Sequence, residues 1–399
     1  MSIFGMWMWP QNLRIHGAEK VASYCVQVGV TDIFFLVKGL AGTTVFPSKI
    51  APHDGRDLLQ ELLCAAHRRG VRVHAWFTSA SDENYKRLHP ESGRCHYTRG
   101  KDKALIALTD ADYLAYMEAF TREVCRRYEI DGLHLDYIRY NHLTYGWSEE
   151  DQARYARAGA DVAHLRSLMD RAFCSGDANE PELLFDAYRA GDESVRALAR
   201  TRRQDVVRFA KTLTSLARAE RSDLILSAAL MPEGAYEDTA FSDLHYGQNY
   251  EDAAKLYDLA LPMAYSCAYD KDGQWVRQVA EGTMRRGLRT VVGLHAYDGG
   301  TGPSLQADIA ALAGAPVDGL CLFREGASAL GCAQNRDLRV YNPMETDITR
   351  LIAIGGEDSL TLDEIIRPGE ERRFTLPFTI RSARVFTKDA EACIYLRFI

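Results

Sequence analysis

In the run R-R-Y-E-I-D-G-L-H-L-D-Y-I-R-Y, His134 and Asp136 stand two residues apart. In a strand that spacing puts both on one face and turns Leu133, Leu135 and Tyr137 to the other. An imidazole and a carboxylate would then point to one side of an otherwise apolar strand. Burying a carboxylate is costly unless it has partners or a chemical task. Asp136 therefore reads either as a catalytic group or as half of an ion pair with Arg139 or another inward residue. A catalytic carboxylate commonly works with a second carboxyl group as acid or base. Glu233, in A-L-M-P-E, Asp270, Asp298 and Glu325 each follow an apolar strand-like run. Glu233 is the first choice for the second acid, because its run comes next in the chain after that of Asp136. Glu325 is the runner-up and otherwise a substrate-binding group, and a solvated loop glutamate is the competing reading of Glu233.

Flat apolar rings stack on sugar faces, and Trp7, Trp9, Trp76, Tyr265 and Tyr297 all lie near ends of apolar runs. Each alone could be ordinary core packing. Lys38, His74, His134, Arg139 and His295 are predicted to face inward as well, where they could hold sugar hydroxyls. Three inward histidines raise a metal alternative. However, no H-E-x-x-H is present, and the first apolar run reads M-W-M-W rather than H-x-H. No G-x-S-x-G elbow for a serine nucleophile occurs either. The expected chemistry therefore needs no metal and no cofactor.

The elements that must position these groups alternate between short apolar runs and amphipathic helices. Ile3 to Trp9 is strand-like, a helix follows over Asn12 to Val28, and Asp32 to Lys38 is the second strand. A helix over Arg56 to Arg69 ends at Gly70, strand three runs from Val71 to Phe77, and a helix over Ala111 to Tyr128 begins after Thr109 and Asp110. Asp131 to Tyr140 is strand four, and L-I-L-S-A-A-L, L-A-L-P-M-A-Y, R-T-V-V-G-L-H-A-Y and D-G-L-C-L-F are four more. Runs with so little polar alternation suit strands of a parallel sheet covered on both faces. Eight of them predict an α/β fold, a (β/α)8 TIM barrel spanning residues 1–334. The rival is a doubly wound sheet, which would call for a Gly-rich phosphate loop after the first strand; W-M-W-P-Q-N-L is not one. A helical insertion is predicted after strand four, between Asn141 and Arg203, as a wall of the cleft or as surface decoration. The tail at residues 335–399, with R-F-T-L-P-F, A-R-V-F-T and C-I-Y-L-R-F-I, is predicted to form a small β-rich accessory domain.

In that setting D-G-L-H-L-D resembles the strand-four signature of a broad group of glycoside-hydrolase-like barrels, glycosyl-hydrolase-like family 10 and its relatives. D-G-(apolar)-H-(apolar)-D is typical of that group. The W-M-W, I-F-F-L-V-K, V-H-A-W-F and L-P-M-A-Y pieces on strands one, two, three and six fit in order. The resemblance implies carbohydrate hydrolysis with Asp136 as a catalytic residue. Family-18 chitinases share part of the pattern, but here Ile138 stands at their catalytic Glu position, His134 replaces an Asp, and Ser266 replaces the Asp after Met263-Ala264-Tyr265. Their substrate-assisted mechanism is therefore not expected. The expected reaction is a two-carboxylate, retaining hydrolysis of an oligo- or polysaccharide, with Asp136 as nucleophile and Glu233 as acid/base. The alternative is a non-catalytic carbohydrate-binding barrel.

Composition agrees with a large globular core: 399 residues, 47% hydrophobic and 26% charged. A formal net charge of -7 with scattered basic residues gives no footprint for nucleic acid or an anionic membrane. Nine cysteines without C-x-x-C spacing suit neither a zinc knuckle nor a disulfide framework. With no basic stretch at the start of M-S-I-F-G-M-W-M-W-P, a reducing, cytoplasmic setting is expected.

Overall fold

The computed structural model describes residues 3–296, 305–388 and 390–399. Eight parallel strands form the barrel: β1 (Ile3–Met8), β2 (Asp32–Lys38), β3 (Arg72–Thr78), β4 (Gly132–Asp136), β5 (Ile225–Leu230), β6 (Leu259–Pro262), β7 (Val291–His295) and β8 (Gly319–Phe323). They pair in the order β6-β5-β4-β3-β2-β1-β8-β7, and parallel bridges Ala260–Thr290 and Met263–Gly293 join β6 to β7. The sheet thus closes on itself, and the expected TIM barrel is the fold. Both faces of the strands are apolar for a reason. Ile33, Phe35, Val73, Ala75, Leu133 and Leu135 face outward into one continuous helix-covered core, while Trp7, Phe34, Trp76, Leu261 and Cys321 fill the interior.

Several helices start where a short acceptor side chain satisfies one of their first N–H groups. Asp57 caps α3 (Leu58–His67) through the Gln60 amide, and Asp110 caps α4 (Ala111–Arg127) through the Tyr113 amide. The helix predicted over Asn12 to Val28 is two helices, α1 (Gln11–His16) and α2 (Ala18–Gln27). Gly17 separates them with φ 80° and ψ 153°, a conformation open to glycine and foreign to a helix. Between β3 and β4 the chain adds an unforeseen hairpin, Gly93–His96 with Gly100–Ile106.

After β4, residues 141–203 form helices Glu149–Arg157, Val162–Phe173 and Leu183–Ala190 and the start of α5 (Glu193–Glu220). These helices bury a core of their own, with Leu143, Trp147, Tyr155, Leu165, Met169, Leu198 and Leu244. The remainder of α5 returns to the barrel and packs beside α4. No helix among the described residues is long and apolar enough to cross a membrane.

The tail is a β unit. The strands β9 (Ala329–Gln334), β10 (Asp337–Tyr341), β11 (Arg350–Gly355), β12 (Asp358–Leu362), β13 (Glu371–Thr375), β14 (Ser382–Phe386), β15 (Glu391–Ala392) and β16 (Ile394–Phe398) make two four-stranded sheets, β13-β10-β9-β16 and β12-β11-β14-β15. The sheets share one apolar core that includes Leu338, Val340, Leu351 and Val385. Its first strand, β9, starts only a few residues after β8, so the β-rich sheet begins slightly before residue 335. The unit docks on the barrel through Tyr341, stacked on Tyr24 of α2 at 4.1 Å, and through Tyr395, tilted against Phe4 with ring centres 4.5 Å apart.

Candidate active site

Each position of D-G-L-H-L-D has a physical job. The Asp131 carboxylate accepts from the Val73 amide at 2.7 Å and meets the His67 ring at 2.8 Å, fastening β4 to β3 at the amino end of the barrel. Gly132 faces inward beneath the next layer, where a Cβ would come within 2.2 Å of His74 Nδ1 and 2.6 Å of the Ile225 carbonyl oxygen. A side chain there would have to displace backbone. His134 accepts the Trp7 indole N–H on Nε2 at 3.0 Å, so its proton sits on Nδ1 and is donated to Ser227 Oγ at 2.9 Å. Burial, with His74 nearby, holds the His134 pKa well below the usual imidazole range, so this ring is neutral. His74 lies lower in the barrel, bonded to Asp32 at 2.9 Å and stacked on Phe34. Burial alone would raise the Asp32 pKa, but His74 and a bidentate Arg72 hold it down to about 2.

The network around His134 makes a testable statement. Ser227→Ala leaves the His134 N–H without its acceptor inside the barrel. It should cost about 1–3 kcal/mol of stability in urea denaturation. No measurable loss would mean that the imidazole finds another partner.

Above this neutral layer, Asp136 closes β4 level with Thr78 on β3. It is 5% exposed, at the floor of a cavity of about 820 Å³ that opens at the carboxyl end of the barrel. Its Oδ1 accepts from the Tyr137 amide at 2.6 Å and from Arg139 at 3.2 Å, and its Oδ2 from the Trp76 indole at 3.3 Å. Burial raises the Asp136 pKa, while the Arg139 charge and these donors oppose the rise. The strand stops here because Tyr137 adopts φ 61°, a left-handed conformation that costs an aromatic residue energy and recurs at functional sites. The predicted strand to Tyr140 is therefore shorter, yet Arg139 still reaches the cleft, and its guanidinium lies 4.5 Å from the Tyr137 ring centre.

Two buried arginines pin this exit loop. Arg94, from the hairpin, donates to the carbonyl oxygens of Arg139 at 2.7 Å and Ile106 at 2.8 Å. Arg202 of α5 donates to those of Tyr145 and His142. Both guanidinium groups face the Tyr140 ring, at 5.3 and 3.8 Å. The insertion and the hairpin thereby hold the backbone that carries Arg139, a task that no linear motif reveals.

Of the residues predicted for the site, the fold brings Trp7, Trp9, Trp76, Asp136, Arg139 and Tyr265 to the cleft. Thr78, Ala229, Met263 and Phe323 join them. Others lie elsewhere. Lys38 was expected inward, but the pairing of β2 with β3 slips between Leu36 and Lys38. Leu36, level with Trp76 ahead of the slip, lines the cleft by ordinary alternation, while the bulge sets Lys38 level with Phe77, in a fully buried ion pair with Asp82 at 2.8 Å. His74 and His134 are interior groups beneath the cleft: both nitrogens of His134 are bonded, whereas His74 is bonded through Nε2 and has no partner at Nδ1. His295 stands behind Tyr265, its ring stacked 5.2 Å away, with its pKa lowered by burial. Glu325 is buried between α1, α2 and the β unit, bonded to Asn12 at 2.7 Å and to the Tyr24 hydroxyl. Tyr297 and Asp298 fall outside the described residues. The three histidines do not converge, and no group of three or more His, Cys, Asp or Glu among the described residues could hold a metal ion.

Glu233 sits in the turn Pro232–Ala235 after β5 and is 8% exposed. It accepts from the Tyr246 and Tyr269 hydroxyls at 3.3 and 3.5 Å. Burial raises its pKa, and the Arg139 charge acts on it as it does on Asp136. Among the described residues that line the cleft, Asp136 is the one carboxylate.

The chain is similar to known proteins in fold and in sequence. The fold matches the PgaB (BpsB) glycoside hydrolase domain of Bordetella bronchiseptica with a TM-score of 0.63 and 15% identity, over 82% of this chain and 94% of that one. It also matches a β-galactosidase from the psychrophilic Marinomonas ef1, with a TM-score of 0.59 and 14% identity, over 81% and 54% of the two chains. In sequence, 62 residues are 42% identical to the glycosyl hydrolase DigH of Escherichia coli (strain K12), a match spanning 13% of this chain and 14% of that relative. The sequence pattern of one family extends over residues 26–281, more than half of the 399, and takes in β4 with Asp136 and the turn with Glu233. By that match, the chain belongs to the Glycosyl hydrolase-like 10 family.

Proposed function

We propose that this protein is a glycoside hydrolase in which Asp136 attacks the anomeric carbon and Glu233 serves as acid and base. The observation that carries the reading is Asp136 itself. It is a buried carboxylate at the carboxyl end of β4, on the floor of an aromatic cleft, with donors directed at both oxygens. Those donors favour the ionised form that a nucleophile needs. Glu233 is bonded to neutral hydroxyls, and its raised pKa suits a group that must hold a proton until the leaving oxygen takes it. The glycosyl intermediate on Asp136 would then be released by water activated by Glu233, with retention of configuration.

The second reading is a carbohydrate-binding barrel without catalysis. It is favoured by Asp136 being the one carboxylate among the described cleft-lining residues. The test follows reducing ends and product anomers on a panel of aryl glycosides and oligosaccharides, for wild type and Glu233→Gln. In kcat/KM, which reports the first step, Glu233→Gln is expected to lose about 10²-fold or more on oligosaccharides and much less on activated aryl glycosides, whose leaving groups need no protonation. Equal losses on both would remove Glu233 from the role. A wild type that binds sugars and hydrolyses none would establish the second reading.

A further inference from the structure

The two sides of the cleft differ in chemistry. On one side Thr78, Asp136 and Arg139 offer hydrogen-bonding groups. The other is built by the turn after β1, by α1 and by the end of β2, and its surface is Pro10, Ile15, Leu36 and Leu40. The polar residues on that side, Gln11 and Arg14, each hold one exposed partner outside the cleft lining: Gln11 donates to Glu345 at 2.7 Å, and Arg14 pairs with Asp54. Ile15 is 62% exposed and Leu40 42% exposed, both at the rim and both continuous with the cavity over Asp136. Large aliphatic side chains left in water beside a cavity mark a surface meant to be covered. A sugar ring is a poor cover, since its hydroxyls would lose water and gain no partner from leucine, isoleucine or proline. A hydrocarbon chain gives up no hydrogen bonds there and removes the exposed apolar area from water.

We propose that the cleft takes glycosides whose leaving group is an aliphatic chain, lying along Pro10, Ile15, Leu36 and Leu40 with the sugar over Asp136. The inference rests on the hydrolase reading for its chemistry. Water cleaves the bond between the anomeric carbon and the alkoxy oxygen, the sugar keeps the hydroxyl, and the aliphatic alcohol leaves with the proton.

Binding is measured by tryptophan fluorescence, since Trp7, Trp9 and Trp76 line the cavity. The ligands are octyl and methyl glycosides of glucose, galactose and N-acetylglucosamine, kept below the micelle concentration. For at least one sugar the octyl compound should bind roughly tenfold tighter or better than the methyl compound, as burial of about two methylenes would give. The double variant Ile15→Asp, Leu40→Asp changes two exposed residues and should bring that ratio close to unity. Leu360→Asp, an exposed change on the β unit outside the cleft lining, should keep it. Equal octyl and methyl affinities in wild type, or a ratio that survives the double variant, overturns the proposal. Hydrolysis of aryl glycosides without an octyl preference removes this inference alone. An octyl preference lost in the double variant, in a protein that hydrolyses nothing, supports the aliphatic subsite while sinking the hydrolase reading.

Discussion

Asp136→Asn is expected to lower glycoside hydrolysis by about 10³-fold or more while sugar binding persists. An amide at this position keeps the shape, and its one carbonyl oxygen can still accept from the Tyr137 amide and Arg139 while its NH2 takes the place facing the Trp76 indole, but it cannot form the glycosyl ester. Its fold should not suffer. Burial raises the Asp136 pKa, so the ionised side chain is a cost to the folded protein at neutral pH, and the amide removes that cost. Stability of the variant at pH 7 should therefore equal or exceed that of wild type. The same shift sets a pH signature: the nucleophile must be ionised, so activity should fall on the acid side at a pH above the usual 3.8 of an aspartate. Arg139→Met removes the charge that opposes the rise, and it should move that limb to still higher pH. Kinetics on one aryl glycoside across pH, with binding followed by fluorescence, separates loss of chemistry from loss of binding. Full activity in Asp136→Asn would end the assignment.

Glu325→Gln should stabilise the protein at pH 8 by up to about 3 kcal/mol and leave it unchanged at pH 4. Burial pushes the Glu325 pKa from the ordinary 4.5 to about 7, against the pull of Tyr24 and Asn12, which both donate to the same oxygen. Between pH 4.5 and 7 the folded protein holds a proton that the unfolded chain has released. Wild-type stability therefore falls as pH rises through that window, and the whole penalty is present above pH 7. Glutamine is permanently neutral and escapes it, while its carbonyl oxygen can still accept from Asn12 and Tyr24. Urea denaturation of both proteins from pH 4 to 8 should give a difference that grows through this window. A flat difference would mean that Glu325 ionises alike in the folded and unfolded chains. The site is the seam where α1, α2 and the β unit meet, with Tyr341 stacked on Tyr24, so lost stability should appear there first in hydrogen exchange.

Much of this molecule could be read from residue order, because the relevant physics is local. Strands buried on both faces need unbroken apolar runs, and all eight barrel strands were visible as such. The period of two along Gly132, His134 and Asp136 sets them on the interior face, and chain direction puts Asp136 at the functional end. The same period misled at Lys38: one extra residue in β2 reverses the face of everything after it, and bulges leave no local mark. The break at Gly17 was legible in type, but a lone glycine is tolerated in many helices, so the conformation itself was needed.

What only the tertiary structure decided are the relations between distant segments. His134 reads as a candidate ligand until Trp7 and Ser227, from two other strands, use both its nitrogens. Glu325 reads as a cleft carboxylate until Asn12, Tyr24 and the docked β unit enclose it. The clamp of Arg94 and Arg202 on the loop after Asp136 joins a hairpin and an insertion, neither of which carries a recognisable motif. Residue type and spacing determine which groups can do chemistry and which way a strand turns them. Which ones stay available is decided by the partners that folding brings within about 3 Å, because a buried donor or acceptor left unpaired costs as much as the bond it forgoes.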